Sequence, residues 1–455
     1  MQIKEYLKKV KSKEISVIET ISKILDEAKK LNKDYNYFNT ISDQQALAQA
    51  KAIEKAPKGS LAGLPISVKD CISTKNIETT AGSLILKNYK PVYNATVIEK
   101  LQAAGAIIIG KTSQDEFGFG GFSVNTYNIP KNPFDKERSC GGSSGGAAGF
   151  TQKTSLPHIA LAESTGGSIV NPASFCGVIG LCPTYGLVSR YGLLDYASSL
   201  DKIGPITKSI EDAELALSVI AGYDSKDSTS LNKQLNKNNK IKSIALIKES
   251  LDIDPKIKDL ILKKLNQLKI KYDTISLPLL KEYGIACYYI IAMSEASTNL
   301  AKYCGIRYGL ELELEGNFDE YFSKVRSAGF GKEAKRRIIL GTFARMAGFR
   351  DAYYLKAMKL RTLIINEYKK AFKKYDLLVS PTMPITAPKF SEINKLTPLQ
   401  NYMMDILTVG PNLAGLPHLS LNAGFINKLP SGILFIADHL NENKLIEIGK
   451  KLEIK

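Results

Sequence analysis

The chain is 455 residues long and carries 62 Lys and Arg against 45 Asp and Glu, a formal net charge of +17. Its composition, 44% hydrophobic and 24% charged, excludes disordered, collagen-like and coiled-coil proteins. No apolar run reaches the ~18 residues that a membrane-spanning helix needs, and the first residues lack the apolar core of a signal peptide, so we expect a cytoplasmic protein. The positive charge is compatible with a polyanionic partner or with a solvated lysine-rich surface.

In chain order, residues 1–60 predict an N-terminal helical segment, because apolar residues from Val17 to Ala28 recur at helical spacing. From 61 to about 223, short apolar runs alternate with Gly/Ser-rich turns and helical stretches. The predicted strands of this part are 65–68, 106–109, 156–162 and 178–181. Strands alternating with helices indicate an α/β fold with a mixed sheet.

After a polar loop at 224–242, the sequence predicts two strands that flank a helix, followed by a helical insertion at about 281–374. The strands are 243–247 and 270–275, the helix is 255–268, and a last strand follows at 375–380. Nothing repeats at a fixed period. We therefore expect one large domain over 61–455.

The region 139–172 is rich in glycine and serine, and it fits neither common nucleotide-binding motif. It lacks the lysine of a P-loop, and GGSSGG does not match the dinucleotide fingerprint. A hydrolase elbow needs a strand leading into the turn, whereas the lead-in here is charged and loop-like. Two serine-bearing glycine turns remain, with Ser144 and Ser168 as candidates for nucleophilic chemistry.

A serine nucleophile needs a base, and none of the three histidines is well placed. His158 lies in an apolar predicted strand, as a core histidine does. A buried lysine can replace histidine as the base. Lys69 follows directly on a predicted strand, at the sheet edge where α/β proteins present their sites. The cysteines have no C-x-x-C spacing, so we expect buried, reduced thiols and no metal site.

Three segments, GLPISVKD, CGGSSGGA and STGGSIVNPASFCG, resemble the motifs of the amidase signature family. The resemblance runs from about 61 to 424. Within the family, the chain is similar to the A subunits of tRNA-dependent amidotransferases in PTYGLVSRYGLL, ASSLDKIGP, IRYG, SAGFGKEAKRRIILGT and DAYYLKAMKLRTLI. The resemblance implies a large mixed sheet covered on both faces by helices, with a signature core at 61–223.

The resemblance also implies roles for individual residues. Ser168 is the implied nucleophile, Ser144 the bridging serine and Lys69 the base. The implied oxyanion hole consists of the backbone N–H groups of Thr165, Gly166, Gly167 and Ser168. For a glutamine substrate, Arg337 is implied to bind the carboxylate, Asp405 the amino group, and Tyr288 to line the pocket. Arg336 is adjacent to Arg337, and the sequence does not choose between them.

The chain departs from the family motif at two positions, where Ser164 and Val170 replace an Asp and an Arg. If these two residues normally pair, their joint replacement strands no buried charge. We expect a working site because Lys69, Ser144 and Ser168 are all present; weakened activity is the alternative.

As an A subunit, the chain is expected to hydrolyse glutamine and to pass ammonia to a B subunit. That partner would convert Glu-tRNA(Gln), or Asp-tRNA(Asn), to the amidated product. ATP and Mg²⁺ are expected in the B subunit and no cofactor in this chain. A small C subunit is also expected, with misacylated tRNA an indirect partner and no membrane contact. The alternatives are a stand-alone amidase acting on a small carboxamide and a non-catalytic scaffold protein of the same fold.

Overall fold

An eleven-stranded mixed β-sheet runs through the computed structural model, which describes residues 1–453. In chain order the strands are β1 (Phe38–Ile41), β2 (Pro65–Lys69), β3 (Ile107–Thr112), β4 (Ile159–Ser164), β5 (Ile179–Cys182), β6 (Lys202–Thr207), β7 (Ile244–Ile247), β8 (Tyr272–Ile275), β9 (Leu377–Pro381), β10 (His418–Ile426) and β11 (Leu429–Ala437). They lie side by side in the order β1-β3-β2-β4-β6-β5-β10-β11-β9-β7-β8.

The helices complete the α/β fold. They are α1 (Ile3–Lys11), α2 (Val17–Tyr35), α3 (Asp43–Lys55), α4 (Thr96–Ala103), α5 (Gly145–Lys153), α6 (Val170–Cys176), α7 (Ile210–Ile220), α8 (Pro255–Gln267), α9 (Pro278–Asn299), α10 (Phe318–Gly329), α11 (Lys332–Arg345), α12 (Lys356–Phe372), α13 (Phe390–Ile393), α14 (Pro398–Met403), α15 (Val409–Leu413) and α16 (Glu442–Glu453). A π-helical turn, Asp351–Leu355, precedes α12. Within residues 1–453, no helix has both the length and the apolar character required to cross a membrane.

The predicted fold class is confirmed: the sheet is large and mixed, and helices cover it. Strand β2 pairs in parallel with β3 and β4, whereas β4 and β6 are antiparallel. Every residue of β2, β3 and β4 is buried. Continuous burial of this kind is typical of parallel strands that are covered on both faces. Lys69, the last residue of β2, therefore lies inside the protein and away from water.

The N-terminal helices belong to the same hydrophobic core as the sheet. On α2, the apolar stripe from Val17 to Ala28 is buried. Ser16 caps this helix, because its side chain accepts a hydrogen bond from the N–H of Glu19. One cluster of buried apolar residues includes both Ile3 and Leu452.

The helical insertion lies between β8 and β9 and carries two helices that face the site. Helix α11 packs closely on α9, since a Cβ atom added at Gly341 would lie 1.9 Å from the carbonyl oxygen of Met293. A glycine at this position lets the two helix backbones approach. This contact fixes α11 relative to the tyrosines of α9.

Candidate active site

Lys69 is fully buried at the end of β2, and its side-chain nitrogen contacts three oxygen atoms. The Nζ atom lies 2.7 Å from Ser143 Oγ, 2.7 Å from Glu163 Oε2 and 3.0 Å from the carbonyl oxygen of Glu163. The lysine predicted as a base is therefore in direct contact with a serine of the first glycine turn.

That serine is Ser143, and the structure corrects the assignment of the bridging position to Ser144. The Ser144 hydroxyl donates to the backbone carbonyl of Glu163 at 3.1 Å. Ser144 is the N-cap residue of α5, so the start of that helix sets the direction of its side chain. The preceding residue, Ser143, follows a cis peptide bond from Gly142 and presents its hydroxyl to Lys69.

Asp115 supports the first glycine turn. Its carboxylate accepts hydrogen bonds from the N–H groups of Ser123 at 2.8 Å and Asn125 at 2.9 Å. A Cβ atom at Gly142 would lie 2.3 Å from Asp115 Oδ2, so only glycine fits there. Burial raises the pKa of Asp115 to about 7, although the two N–H donors oppose the shift.

Ser168 lies in the turn between β4 and α6, with 7% of its surface exposed. No hydrogen bond joins its hydroxyl to Ser143 or to any other group in residues 1–453. Catalytic hydrogen bonds often form only once the substrate is bound, so a free hydroxyl is compatible with a nucleophile. The structure thus joins Lys69 to Ser143 and leaves Ser168 free.

The predicted oxyanion hole needs one correction. The N–H of Gly167 donates to Ser164 Oγ at 3.1 Å and is therefore occupied within the protein. The N–H groups of Thr165, Gly166 and Ser168 donate to no acceptor in the described part of the chain. These three groups are the available donors for a developing oxyanion.

Both positions that depart from the family motif are buried. Ser164 replaces an acidic residue and uses its hydroxyl to bind the turn. Val170 replaces an arginine and is fully buried in the apolar core on α6. Because both positions are neutral, neither leaves a buried charge without a partner, as the sequence predicts.

Arg337 lies inside the protein on α11, surrounded by aromatic rings. The ring centroids lie 5.1 to 5.5 Å from its guanidinium carbon and belong to Phe119, Tyr196, Tyr289 and Tyr402. Its Nε donates to Glu333 Oε1 at 2.8 Å and its Nη1 to the hydroxyl of Tyr196. The Nη2 group donates to no protein acceptor within residues 1–453 and is available to a ligand.

Arg336 occupies a different place. Its side chain is 31% exposed, and it pairs with the other carboxylate oxygen of Glu333. Consecutive helical residues point about 100° apart, so only one of the two arginines can face the interior. Arg337, and not Arg336, therefore lies in the interior among the aromatic rings.

Asp405 is connected through Asn171 to the segment that follows Ser168 and is held by two donors. Its Oδ2 accepts from the hydroxyl of Tyr289 at 2.6 Å, and its Oδ1 accepts from Asn171 Nδ2 at 2.9 Å. Asn171 lies on α6, three residues after Ser168. Burial raises the pKa of Asp405 to about 6.

Tyr288 covers the same turn from the helical insertion. A Cβ atom at Gly166 would lie 2.5 Å from the ring and from the hydroxyl of Tyr288. Sequence reasoning placed Tyr288 here but missed Tyr289, its neighbour on α9. No pattern in the sequence distinguishes the partner of Asp405 from the other tyrosines of the insertion.

The histidines are not part of the site. His158 is buried, and its Nε2 lies 2.9 Å from Ser67 Oγ. Burial lowers the pKa of His158 to about 3. It is a core residue, as its apolar strand predicts.

Comparisons with known proteins place the chain in a family. The amidase family model matches residues 19–446. The chain is 46% identical to the A subunit of glutamyl-tRNA(Gln) amidotransferase from Archaeoglobus fulgidus, over 99% of its own length and 98% of the relative. The chain is 44% identical to the corresponding protein of a Sulfurihydrogenibium species, over 99% of its own length and 96% of the relative.

A solved structure agrees with these relatives. The crystal structure of the A subunit of glutamyl-tRNA(Gln) amidotransferase from Thermotoga maritima has a TM-score of 0.81 and 34% identity to the chain. The match covers 100% of the chain and 94% of that structure. The chain therefore belongs to the amidase family, and within it to the group of glutamyl-tRNA(Gln) amidotransferase A subunits.

Proposed function

We propose that this chain is the glutamine-hydrolysing component of a tRNA-dependent amidotransferase. The observation that carries the proposal is the 2.7 Å contact between Lys69 Nζ and Ser143 Oγ. The hydroxyl of Ser168, which has no hydrogen-bond partner within residues 1–453, is the nucleophile of the proposed relay. A lysine–serine–serine relay suits amide hydrolysis, because it can move a proton from the nucleophile to the leaving ammonia. The similarity to A subunits over nearly the whole chain supports glutamine as the amide.

In the first step, the Oγ of Ser168 attacks the carboxamide carbon of glutamine. The proton of Ser168 passes to Ser143, whose own proton passes to a neutral Lys69. The oxyanion receives hydrogen bonds from the free N–H groups of Thr165, Gly166 and Ser168. One donor of this kind contributes ~2.7–4 kcal/mol to transition-state stabilisation.

The relay then runs in reverse. A proton returns from Lys69 through Ser143 to the amide nitrogen, the C–N bond breaks, and ammonia leaves a glutamyl ester on Ser168. Water attacks this ester and loses its proton through the same groups, which releases glutamate.

Arg337 and Asp405 provide opposite charges for a zwitterionic amino acid. The free Nη2 of Arg337 suits the α-carboxylate, and the carboxylate of Asp405 suits the α-ammonium. The four rings around Arg337 exclude water from this region, which strengthens both contacts.

We propose that ammonia passes from this chain to a B subunit, which would bind ATP, Mg²⁺ and the misacylated tRNA in the cytoplasm. A small C subunit would complete the assembly. Enclosure is chemically necessary, since ammonia released into water is protonated and lost as a nucleophile. Whether the product is Gln-tRNA(Gln) or Asn-tRNA(Asn) depends on the partner.

Glutamine hydrolysis, measured with the chain alone and with a co-expressed B subunit, tests the proposal. We expect hydrolysis of glutamine that increases in the complex. Turnover of simple aliphatic amides by the chain alone, without turnover of glutamine, would indicate a stand-alone amidase. No turnover under any condition would indicate a non-catalytic scaffold.

Arg337→Lys is expected to raise the KM for glutamine by about 10- to 100-fold and to change kcat by less than about tenfold. Lysine keeps the charge but has a single nitrogen, so it cannot bind Glu333 and Tyr196 and also present the donor that Nη2 offers to the carboxylate. Arg336→Lys is the matched control, because it changes the neighbouring and partly exposed arginine. Steady-state kinetics distinguish the two variants, and a larger KM effect from Arg336→Lys would contradict the assignment.

The KM for glutamine is expected to rise as the pH falls below about 6. Burial raises the pKa of Asp405 to about 6, so its carboxyl is an anion above that pH and neutral below it. A neutral carboxyl no longer attracts the substrate ammonium. KM measured between pH 5 and 8 should approach that of Asp405→Asn at the acid end, and a flat wild-type KM would contradict this role.

A further inference from the structure

Glu116 is a buried carboxylate that caps the helix of Arg337 from another part of the chain. It is 4% exposed and lies in a short 3₁₀ turn that follows β3. The N–H of Gly331, the N-cap residue of α11, donates to both of its oxygens, at 3.1 and 3.0 Å. The hydroxyl of Ser83 donates to the same carboxylate. The proposed reaction assigns no role to Glu116.

Helix α11 depends on Glu116 because its own residues cannot cap this N–H. Gly331 has no side chain, and Ala334 stands at the position where a capping box carries Glu or Gln. A Cβ atom at Gly331 would lie 2.5 Å from Glu116 Oε2, so the contact also requires glycine there. An unpaired N–H at a helix start favours fraying of the first turn. The carboxylate of Glu116 therefore holds the first turn of α11 in place.

The first turn of α11 in turn orients the guanidinium of Arg337. Glu333, two residues after Gly331, accepts from Arg337 Nε at 2.8 Å. The same oxygen accepts from the hydroxyl of Tyr402 at 2.9 Å. Fraying of this turn would move Glu333 and release Nε. The guanidinium would then lose the orientation in which Nη2 is free for the substrate carboxylate.

The segment that carries Glu116 also supports the relay. The neighbouring Asp115 accepts hydrogen bonds beside the first glycine turn, and its own N–H donates to the carbonyl oxygen of Ser143 at 3.2 Å. Three residues after Glu116, the ring centroid of Phe119 lies 5.1 Å from the guanidinium carbon of Arg337. Residues 115–119 therefore contact both the turn of Ser143 and the side chain that faces the substrate carboxylate.

We propose that Glu116 is a positioning residue for the α-carboxylate of glutamine. By capping α11 it keeps Glu333, and through Glu333 the guanidinium of Arg337, in a fixed place relative to the relay. It touches neither the substrate nor the reacting atoms, so its loss is expected to weaken substrate binding and not the chemical step. This inference rests on the proposed glutaminase function.

Steady-state kinetics of glutamine hydrolysis by the full chain in complex with its B subunit test the proposal. Glu116→Met removes both acceptor oxygens and is expected to raise KM about 5- to 30-fold, with kcat within about threefold of wild type. Glu116→Gln keeps one acceptor oxygen for the N–H of Gly331 and should restore KM to within about threefold of wild type. An equal rise of KM in both variants would overturn the capping role.

Glu453→Met is the matched control. Glu453 accepts the N–H of Ile210 with both oxygens, at 3.2 and 3.1 Å, at the start of α7, which carries none of the site residues. We expect this variant to keep the KM of the wild type. Thermal denaturation of both Met variants measures the loss of stability that accompanies the loss of either contact.

A double variant shows whether Glu116 acts through Arg337. If it does, Glu116→Met combined with Arg337→Lys should have a KM within about threefold of Arg337→Lys alone, because the guanidinium that Glu116 positions is already absent. KM effects that multiply would overturn the inference.

A lower kcat of Glu116→Met with an unchanged KM would also overturn it, since the effect would then act on the relay through Asp115. If Glu116→Met does not fold, Glu116→Asp provides the test. Its shorter side chain draws the carboxylate back from Gly331, and the same rise in KM is expected. Absence of glutamine hydrolysis by the wild type would instead overturn the proposed function.

Discussion

Ser168→Ala is expected to lower the kcat of glutamine hydrolysis by about 10⁴- to 10⁶-fold with little change in glutamine binding. Without the hydroxyl no acyl-enzyme forms, so the relay has no proton to move. The residual rate comes from substrate binding and from the free N–H groups of the turn, which the variant retains.

Two measurements check this expectation. A glutamine analogue with an electrophilic carbon should add its mass to the wild-type chain at Ser168 and not to the variant. Ser174→Ala on α6, the helix that follows Ser168, is the matched control, since Ser174 is buried and accepts a hydrogen bond from the N–H of Gly432 at 2.9 Å. We expect Ser174→Ala to keep its activity within about tenfold. Retention of more than a few per cent of kcat by Ser168→Ala would place the nucleophile elsewhere.

Ser143→Ala is expected to lower kcat by about 10³-fold or more, whereas Ser144→Ala should lower it by less than about tenfold. Ser143 contacts Lys69 and is the serine of this turn that lies on the path of the proton. Ser144 donates one hydrogen bond to a backbone carbonyl, and losing it costs about 1 kcal/mol of stability.

The pair of adjacent serines provides its own control. Both variants remove one hydroxyl from the same buried turn, so a general effect on folding would appear in both. Thermal denaturation of the two proteins measures that effect, and steady-state kinetics measure the difference in kcat. A large loss of activity in Ser144→Ala with a small loss in Ser143→Ala would restore the assignment made from sequence.

The sequence predicts the fold class, which the structure confirms, and it predicts Lys69, Ser144 and Ser168 as the relay residues. Lys69 and Ser168 are recognisable because each lies in a short motif whose glycines and strand place it at the sheet edge. The buried apolar runs also predict β2, β3 and β4 close to their observed bounds. Strand β6, with a lysine, a glycine and a proline in KIGPIT, has no such run and was not predicted.

Two choices between neighbouring residues are hard to make from sequence for the same physical reason. Ser143 and Ser144 are equivalent as letters, and only the backbone directions at the start of α5 decide which hydroxyl meets Lys69. Arg336 and Arg337 differ in the same way, by their direction on one helix. Local sequence identifies which residue types are present at a site, but the orientation of neighbours depends on tertiary structure.

Glu163 was missed for another reason. It is an acidic residue in an otherwise apolar strand, IALAES, one position before the family motif. A buried carboxylate is rarely left without a partner, so its position alone signals a nearby cation. Identifying that cation as Lys69 requires the parallel pairing of β2 and β4.

The most direct test of the central claim compares two nitrogen sources in the complex with the B subunit. We expect the wild-type complex to amidate misacylated tRNA with either glutamine or ammonium. The Ser168→Ala complex should use ammonium at an unchanged rate and should fail with glutamine. Equal glutamine-dependent amidation by both complexes would contradict the account, because ammonia would then not be released at Ser168 of this chain.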